Sequence, residues 1–129
     1  MKKPRLVFVY GTLKTGNTTR GMQYFEGAEF VGEGITSDNI HDIFDLGSFP
    51  AVTEGKYKIK GEVYAVDDET FEYLDAIEGY PDFYNRKKIS VNISSAKVTA
   101  YMYFIDRVTL LNSYKTSPVG AIGDTKEWN

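Results

Sequence analysis

Residues Asp67 to Arg86 read DDETFEYLDAIEGYPDFYNR, and this stretch predicts a short helix with a carboxylate in its last turn. Either of its first two aspartates suits the N-cap, because the side chain can accept a hydrogen bond from an orphan backbone N–H group. Gly79 readily adopts the left-handed conformation that ends a helix, and Pro81 prevents the helix from resuming. The helix is therefore expected to end beside Glu78.

Glu78 is the residue of this stretch with the most chemical interest. Its spacing from Phe71 and Leu74 places all three on one stripe of the helix. Burial and the negative end of the helix dipole both disfavour an ionised carboxylate, so we expect the pKa of Glu78 to be raised. Such a group suits general acid/base catalysis near neutral pH. The alternative is a solvated carboxylate, or one paired with Arg86, with no catalytic role.

The composition is that of a small globular protein. The 129 residues suffice for one domain, which we expect to span residues 1–129. The net charge is -3, and no basic block stands out, so nucleic acid is not the expected partner. No apolar run approaches ~18 residues, and the first residues lack a signal segment. We therefore expect a cytoplasmic protein without a membrane partner.

Residue types exclude several catalytic classes. The chain has no cysteine, which excludes a thiolate nucleophile, a disulfide framework and a cysteine metal site. Its single histidine, His41, cannot build a histidine metal cluster or complete a serine triad with any local signature. We expect no bound metal, and a structural role for His41.

The remainder of the chain is rich in strand patterns. Runs of β-branched and aromatic residues predict strands at 5–10, 30–36, 40–46, 51–52, 57–66, 84–93 and 97–105. Glu54-Gly55 predicts a hairpin, and Gly61 a bulge. Residues 15–20 form a predicted polar loop, residues 21–30 a short helix or irregular cover, and the tail from 114 to 129 loop or short strand. The fold class is α+β, with a small barrel-like sheet of six or seven strands and one main helix.

The first predicted strand ends at Tyr10-Gly11-Thr12-Leu13-Lys14. A strand that ends in glycine leaves backbone N–H groups that can hold an anion such as a carboxylate. The loop lacks the Gly-Lys-Ser/Thr ending of a phosphate-binding loop. Lys14 and Arg20 either bind a substrate carboxylate or are solvated, and Trp128 is expected to be a packing anchor for the tail.

Four stretches resemble the γ-glutamyl cyclotransferase-like proteins, and above all their γ-glutamylamine cyclotransferase branch. The first stretch carries that branch's YGTLK signature, where the glutathione-specific branch typically has YGSL with a different sequel. The second, LDAIEGYP with Tyr84 and Arg86, is similar to the family pattern LDxxEGxPxxYxR. The others, 45–52 and 61–67, resemble the family's DLGxYPAV and GEVYxV stretches. The full set is YGTLK (10–14), DLGSFPAV (45–52), GEVYAVD (61–67) and LDAIEGYPDFYNR (74–86).

The resemblance implies a mixed β-barrel with short flanking helices and a cavity between the first strand and the main helix. It implies that Glu78 is the catalytic acid/base and that Tyr10, Gly11, Thr12 and Leu13 bind the glutamyl head group. Tyr84 and Arg86 match the motif, with no more than supporting or structural roles. The chain departs from the family's usual C-terminal Gly-Asp-Trp, because three residues separate Gly123-Asp124 from Trp128. This departure bears on the leaving-group preference.

The reaction that the resemblance implies needs no cofactor. A γ-glutamyl amide carries its own nucleophile, since its α-amine can attack the γ-carbonyl and release 5-oxoproline and a free amine. The expected binding partner is thus a small γ-glutamyl molecule. The attack forms an oxyanion, and the hydrogen-bond donor that stabilises it is either a backbone N–H group or a tyrosine hydroxyl. The alternative is a non-catalytic module on the same fold that binds a small ligand. A glycosidase is less favoured, because Asp75 and Asp82 are poorly placed to face Glu78.

Overall fold

The computed structural model describes residues 4–14, 21–22, 25–94 and 96–129, so the predicted polar loop at 15–20 lies outside the described residues. Within them the chain forms ten strands and two α-helices. The strands are β1 (Arg5–Val9), β2 (Ala28–Thr36), β3 (His41–Asp45), β4 (Pro50–Glu54), β5 (Lys58–Val66), β6 (Asn85–Ile93), β7 (Ala96–Phe104), β8 (Ser117–Pro118), β9 (Ala121–Ile122) and β10 (Thr125–Lys126). The helices are α1 (Asp68–Ile77) and α2 (Arg107–Ser113). The predicted α+β class is confirmed.

Five strands close into a small barrel. They follow the order β1-β7-β6-β2-β5, and β5 pairs in turn with β1. Most of these pairings are antiparallel, whereas β1 and β7 run parallel, so the barrel is mixed. A second sheet has the order β4-β3-β8. The barrel expected from glycine-kinked strands is therefore present.

Two glycines let the barrel strands approach closely. A Cβ atom at Gly34 would lie 2.5 Å from a methyl group of Val91, and one at Gly61 would overlap the carbonyl oxygen of Val9. The predicted bulge at Gly61 is wrong. The register between β2 and β5 shifts instead between Phe30 and Gly32. Gly61 allows β5 to pack closely against β1, because it has no side chain to overlap that strand.

Strand β1 is buried on both faces, which explains its unbroken apolar sequence. Val7 and Val9 belong to one hydrophobic cluster, together with Phe71 and Leu74 of α1. Phe8 belongs to a second cluster that fills the other side of the strand. Because β1 is packed from both sides, its C-terminal end is fixed relative to α1.

Helix α1 begins as the sequence predicts. The side chain of Asp67 accepts a hydrogen bond from the backbone N–H of Thr70 at 2.8 Å. Hydrogen bonds from the side chain of Thr70 and then from its backbone lower the pKa of Asp67. Phe71 and Leu74 are 2% and 0% exposed, so the predicted apolar stripe faces the core. Truncating a leucine buried in this way typically costs about 2–5 kcal/mol.

The structure corrects the predicted hairpin at Glu54-Gly55. Strand β4 pairs with β3, whereas β5 pairs with β1, β2 and β10, so the turn connects two different sheets. In the stretch 21–30 the described residues form no α-helix, and β2 already begins at Ala28.

Helix α2 was not located by the sequence patterns, although the resemblance implies short flanking helices. Its N-cap is Asp106, whose side chain accepts a hydrogen bond from the N–H of Thr109 at 3.0 Å. That cap, followed by an apolar run, is the signal that could have found it.

The tail forms short strands over sheet edges, as predicted. Strand β8 pairs with β3, and β10 pairs with the start of β5. Asp42 anchors this tail, because its carboxylate lies 2.8 Å from the ammonium group of Lys126 and 3.2 Å from the guanidinium of Arg107.

Candidate active site

A cavity of about 250 Å³ opens between the end of β1 and the end of α1. All five residues predicted for the site line it: Tyr10, Gly11, Thr12, Leu13 and Glu78. The other described lining residues are Phe8, Val9, Phe49, Pro50, Ile77, Gly79, Phe83, Tyr84 and Tyr103. The fold thus brings together two motifs that lie more than sixty residues apart in the sequence.

Glu78 is positioned by the way α1 ends. It is the C-cap residue, and Gly79 follows it with φ +66°. The N–H of Gly79 bonds the carbonyl of Ala76 at 3.2 Å, and that of Tyr80 bonds the carbonyl of Asp75 at 2.9 Å, which is a Schellman motif. The predicted left-handed stop is confirmed. It places Glu78, which is partly exposed, at the wall of the cavity.

The loop after β1 lines the cavity through Tyr10, Gly11, Thr12 and Leu13. The N–H of Lys14 bonds the carbonyl of Gly11 at 2.9 Å, and that of Met22 bonds the carbonyl of Leu13 at 2.8 Å. No backbone–backbone hydrogen bond found within the described residues uses the N–H groups of Gly11, Thr12 or Leu13. Consecutive amides of this kind form a binding site for an anion.

Gly11 holds this loop against its surroundings. A Cβ atom there would lie 2.6 Å from the ring of Pro50 and 4.0 Å from the indole of Trp128. A larger residue would therefore have to displace the proline ring, and glycine is required here for close packing.

Three buried tyrosines form the wall around Glu78, and each phenolic proton already has an acceptor. The hydroxyl of Tyr10 donates to the carbonyl of Tyr103 at 2.8 Å, and that of Tyr84 donates to the carbonyl of Pro50 at 2.5 Å. The hydroxyl of Tyr103 donates to the carboxylate of Asp75 at 2.7 Å. A carbonyl or carboxylate oxygen can only accept, so the remaining capacity of all three phenol oxygens is as acceptors.

The same tyrosines resist ionisation. Burial is the main cause that raises the pKa of Tyr10, Tyr84 and Tyr103 well above the usual value for a phenol. The charge of Glu78 contributes to the rise in each case, which shows that its carboxylate acts electrostatically on all three rings. The wall is therefore neutral near pH 7.

Comparison with known proteins is consistent with this geometry. Residues 7–128 match the family model described as gamma-glutamyl cyclotransferase, AIG2-like. The chain belongs to this family. It is 31% identical to the gamma-glutamylcyclotransferase family protein YtfP of Escherichia coli K12, over 83% of this chain and 91% of that protein.

Relatives from mammals match over a smaller share of their length. The chain is 31% identical to the gamma-glutamylaminecyclotransferase of Rattus norvegicus, over 67% of this chain and 63% of that protein. The crystal structure of an AIG2-like protein from Mus musculus superposes with a TM-score of 0.68 and 29% identity, over 81% of this chain and 78% of that one. The family and its fold are thus supported by sequence and by structure.

The arginine and the second carboxylate of the main motif form a pair outside the cavity lining. The Nε atom of Arg86 lies 3.0 Å from Asp75, and its guanidinium stacks 4.1 Å from the centroid of the Tyr80 ring. Asp75 is thus held by Arg86 and Tyr103, in keeping with the supporting role expected for Arg86. Tyr84, by contrast, lines the cavity itself, which exceeds the role the motif suggested.

Lys14 holds the tail. Its ammonium group donates to the carbonyl of Trp128 at 2.7 Å and lies 3.3 Å from Glu127. Lys14 is therefore paired with the tail, which neither of the two predicted alternatives described, while Arg20 lies outside the described residues. Trp128 packs against the second cluster, and its indole N–H donates to Asp45 at 3.2 Å, so the predicted packing anchor is confirmed.

The described residues also bear on metal binding and on membrane insertion. No group of three or more His, Cys, Asp or Glu side chains there could hold a metal ion. In that same part of the chain, no helix has both the length and the apolar character needed to cross a lipid bilayer.

Proposed function

We propose that this protein is a γ-glutamylamine cyclotransferase that releases 5-oxoproline and a free amine. One observation carries the proposal: a single cavity is lined by Glu78 and by the loop of residues 10–13. Of the described residues that line this cavity, Glu78 alone bears a formal charge. A reaction with an internal nucleophile needs one proton carrier and a set of hydrogen-bond partners, and this lining offers both.

The glutamyl head group is bound by two different surfaces. Its α-carboxylate accepts hydrogen bonds from two of the three N–H groups of Gly11, Thr12 and Leu13, which make no backbone–backbone hydrogen bond within the described residues. Its α-ammonium group donates to the tyrosine oxygens and to Glu78. This assignment follows from the hydroxyl directions, because the phenolic protons are committed to protein acceptors and a phenol oxygen can then only accept.

Ring closure then proceeds with Glu78 as the proton carrier. Glu78 takes a proton from the α-ammonium group, and the free amine attacks the γ-carbonyl carbon to form the new C–N bond. As the old amide C–N bond breaks, Glu78 delivers the proton to the departing nitrogen, and the second proton released by the ring nitrogen leaves with the amine as an ammonium ion. Orientation of such an intramolecular attack is worth an effective molarity of about 10⁵ M or more.

The oxyanion of the tetrahedral intermediate requires a hydrogen-bond donor. The tyrosine hydroxyls are unsuited, since each already donates to a protein acceptor. We therefore assign this role to one backbone N–H group of residues 11–13, and the other two bind the α-carboxylate. Removal of such a donor typically costs about 10²–10³ in rate.

Detection of 5-oxoproline tests the proposal. The purified protein is incubated separately with γ-glutamyl-ε-lysine, glutathione and simple γ-glutamyl amides, and the products are separated by liquid chromatography and mass spectrometry. We expect 5-oxoproline from a γ-glutamyl amide with the wild type and not with Glu78→Gln. Heat of ligand binding in a calorimeter without any product would instead support a non-catalytic binding module.

A further inference from the structure

An aromatic strip adjoins the cavity, formed by Phe49 and Phe83 of the lining and by Tyr114, which packs against Phe83. The rings of Phe49 and Phe83 meet edge to face with centroids 6.1 Å apart, and those of Phe83 and Tyr114 with centroids 5.3 Å apart. Phe49 is 36% exposed and Tyr114 is 43% exposed, whereas the tyrosines of the inner wall are buried. The strip therefore continues the cavity lining outward into solvent.

Each ring of the strip is fixed by the backbone of a different segment. Phe49 lies in the turn between β3 and β4, where its carbonyl accepts from the N–H of Leu46 at 2.9 Å. The N–H of Phe83 bonds the carbonyl of Gly79 at 2.7 Å, which ties this ring to the end of α1. Tyr114 caps α2. Scattered exposed aromatic residues need no explanation, but three rings in contact, two of which line the cavity, indicate a binding surface.

The charges of the cavity lining limit which chemical class of leaving group can bind there. Ile77, 42% exposed, adds another apolar side chain to the lining. Within the described lining residues there is no lysine, no arginine and, besides Glu78, no acid. Lys14, the cation nearest in sequence to the binding loop, is held by Glu127 and Trp128. Among the described lining residues, a leaving group with its own ionic groups would thus find no charged partner except Glu78.

We infer that the leaving amine of the substrate is an arylalkylamine, whose ring packs on the aromatic strip while the glutamyl group occupies the inner wall. This inference rests on the proposed function and adds the chemical class of the leaving group. The strip acts as a specificity surface: it binds the part of the substrate that does not react. Aromatic rings gain most from edge-to-face and offset contacts, which the exposed faces of Phe49 and Tyr114 can supply.

A set of three substrates tests the inference. γ-Glutamyl-methylamide does not reach the strip, γ-glutamyl-phenethylamide places a ring on it, and γ-glutamyl-ε-lysine places an aliphatic chain with a charged end there. We expect kcat/KM for the phenethylamide to exceed that for each of the other two by about 10-fold or more, the usual discrimination of an apolar pocket.

Two variants connect the preference to the strip. Phe49→Ala and Tyr114→Ala should each lower the ratio of kcat/KM values, phenethylamide over methylamide, by about 5-fold. The ratio is compared within one variant, so partial loss of folded protein cancels. Phe30→Ala is the matched control, because Phe30 is 52% exposed on β2 and does not line the cavity. It should leave the ratio unchanged.

The outcomes distinguish failure of the leaving-group inference from failure of the proposed function. Turnover of the methylamide without preference for the ring, or a ratio unaffected by both strip variants, overturns the inference and leaves the proposed function standing. A preference for γ-glutamyl-ε-lysine overturns it in the same way. If no γ-glutamyl amide yields 5-oxoproline, the proposed function fails and the inference fails with it.

Discussion

The ion cluster around Asp42 and the cavity around Glu78 use a carboxylate in opposite ways. Asp42 is 7% exposed and accepts from Lys126, from Arg107 and from the backbone N–H of Ile43. Glu78 is partly exposed in a cavity whose other described lining residues are uncharged. Removing one partner of a buried ion cluster destabilises the fold, whereas a carboxylate in the lining of a cavity can exchange a proton with a ligand.

The largest effect should come from the cavity side of this comparison. In Glu78→Gln the side chain keeps its size but cannot carry the proton, so we expect kcat for a γ-glutamyl amide to fall by about 10²–10⁴-fold. The urea midpoint should stay close to that of the wild type. Steady-state assays of 5-oxoproline and urea unfolding measure the two quantities.

The matched control for that substitution is Glu72→Gln, which removes an exposed carboxylate from the same helix. It should change neither activity nor stability noticeably. Full activity in Glu78→Gln, on every substrate that the wild type converts, would falsify the assigned role.

Substitution of Asp42 should show the reverse pattern, a loss of stability with activity retained. Asp42→Ala leaves the ammonium group of Lys126 buried without its carboxylate, so we expect a loss of about 3 kcal/mol in the free energy of unfolding. Activity measured well below the unfolding transition should persist. Asp124→Ala breaks an exposed pair with Lys58 and should cost well under 1 kcal/mol. Equal losses of unfolding free energy in Asp42→Ala and Asp124→Ala would contradict the prediction that the buried pair contributes more than the exposed one.

A third prediction concerns how the stability of the region around Asp42 depends on pH. His41, beside Asp42, is 2% exposed, and burial and then the charge of Lys87 lower its pKa to about 4, while Asp38 acts in the opposite sense. Neither ring nitrogen has a hydrogen-bond partner among the described residues. The unfolded chain therefore binds the proton more readily, and stability falls as the pH decreases from about 6.5 toward 4.

The measurement is urea unfolding of the wild type and of His41→Leu, which cannot titrate at this position. Between pH 7 and pH 4.5 we expect the wild type to lose about 2 kcal/mol more than the variant. Carboxyl groups also titrate in this range, and the difference between the two proteins removes their contribution. Parallel losses would show that His41 is not the responsible group.

Local signals in the sequence account for the parts of this comparison that could be predicted. The ends of β1 and α1 each carry a glycine that marks the end of its element, which placed Gly11 and Glu78 correctly. The hairpin at Glu54-Gly55 was wrong, because a turn does not reveal which sheet the next strand will join.

The wall and mouth of the cavity depend on contacts between distant segments. Tyr101 and Tyr103 share one face of a predicted strand, yet only Tyr103 lines the cavity. Phe49, Phe83 and Tyr114 come from three connecting segments that no local pattern brings together. The charged partners of Asp42 likewise lie 65 and 84 residues away along the chain.

The smallest expected effect concerns Tyr103, which lines the cavity and whose hydroxyl donates to Asp75. If its oxygen accepts a hydrogen bond from the substrate's ammonium group, Tyr103→Phe should raise KM about 5-fold and change kcat little, since one neutral hydrogen bond is worth about 1 kcal/mol. Tyr101→Phe, on the same strand, should keep both constants. A fall of about 10²-fold in kcat with KM unchanged would instead identify Tyr103 as the oxyanion donor, because that bond forms only in the transition state. The direction of the Tyr103 phenolic proton therefore determines whether this residue stabilises the bound substrate or the transition state.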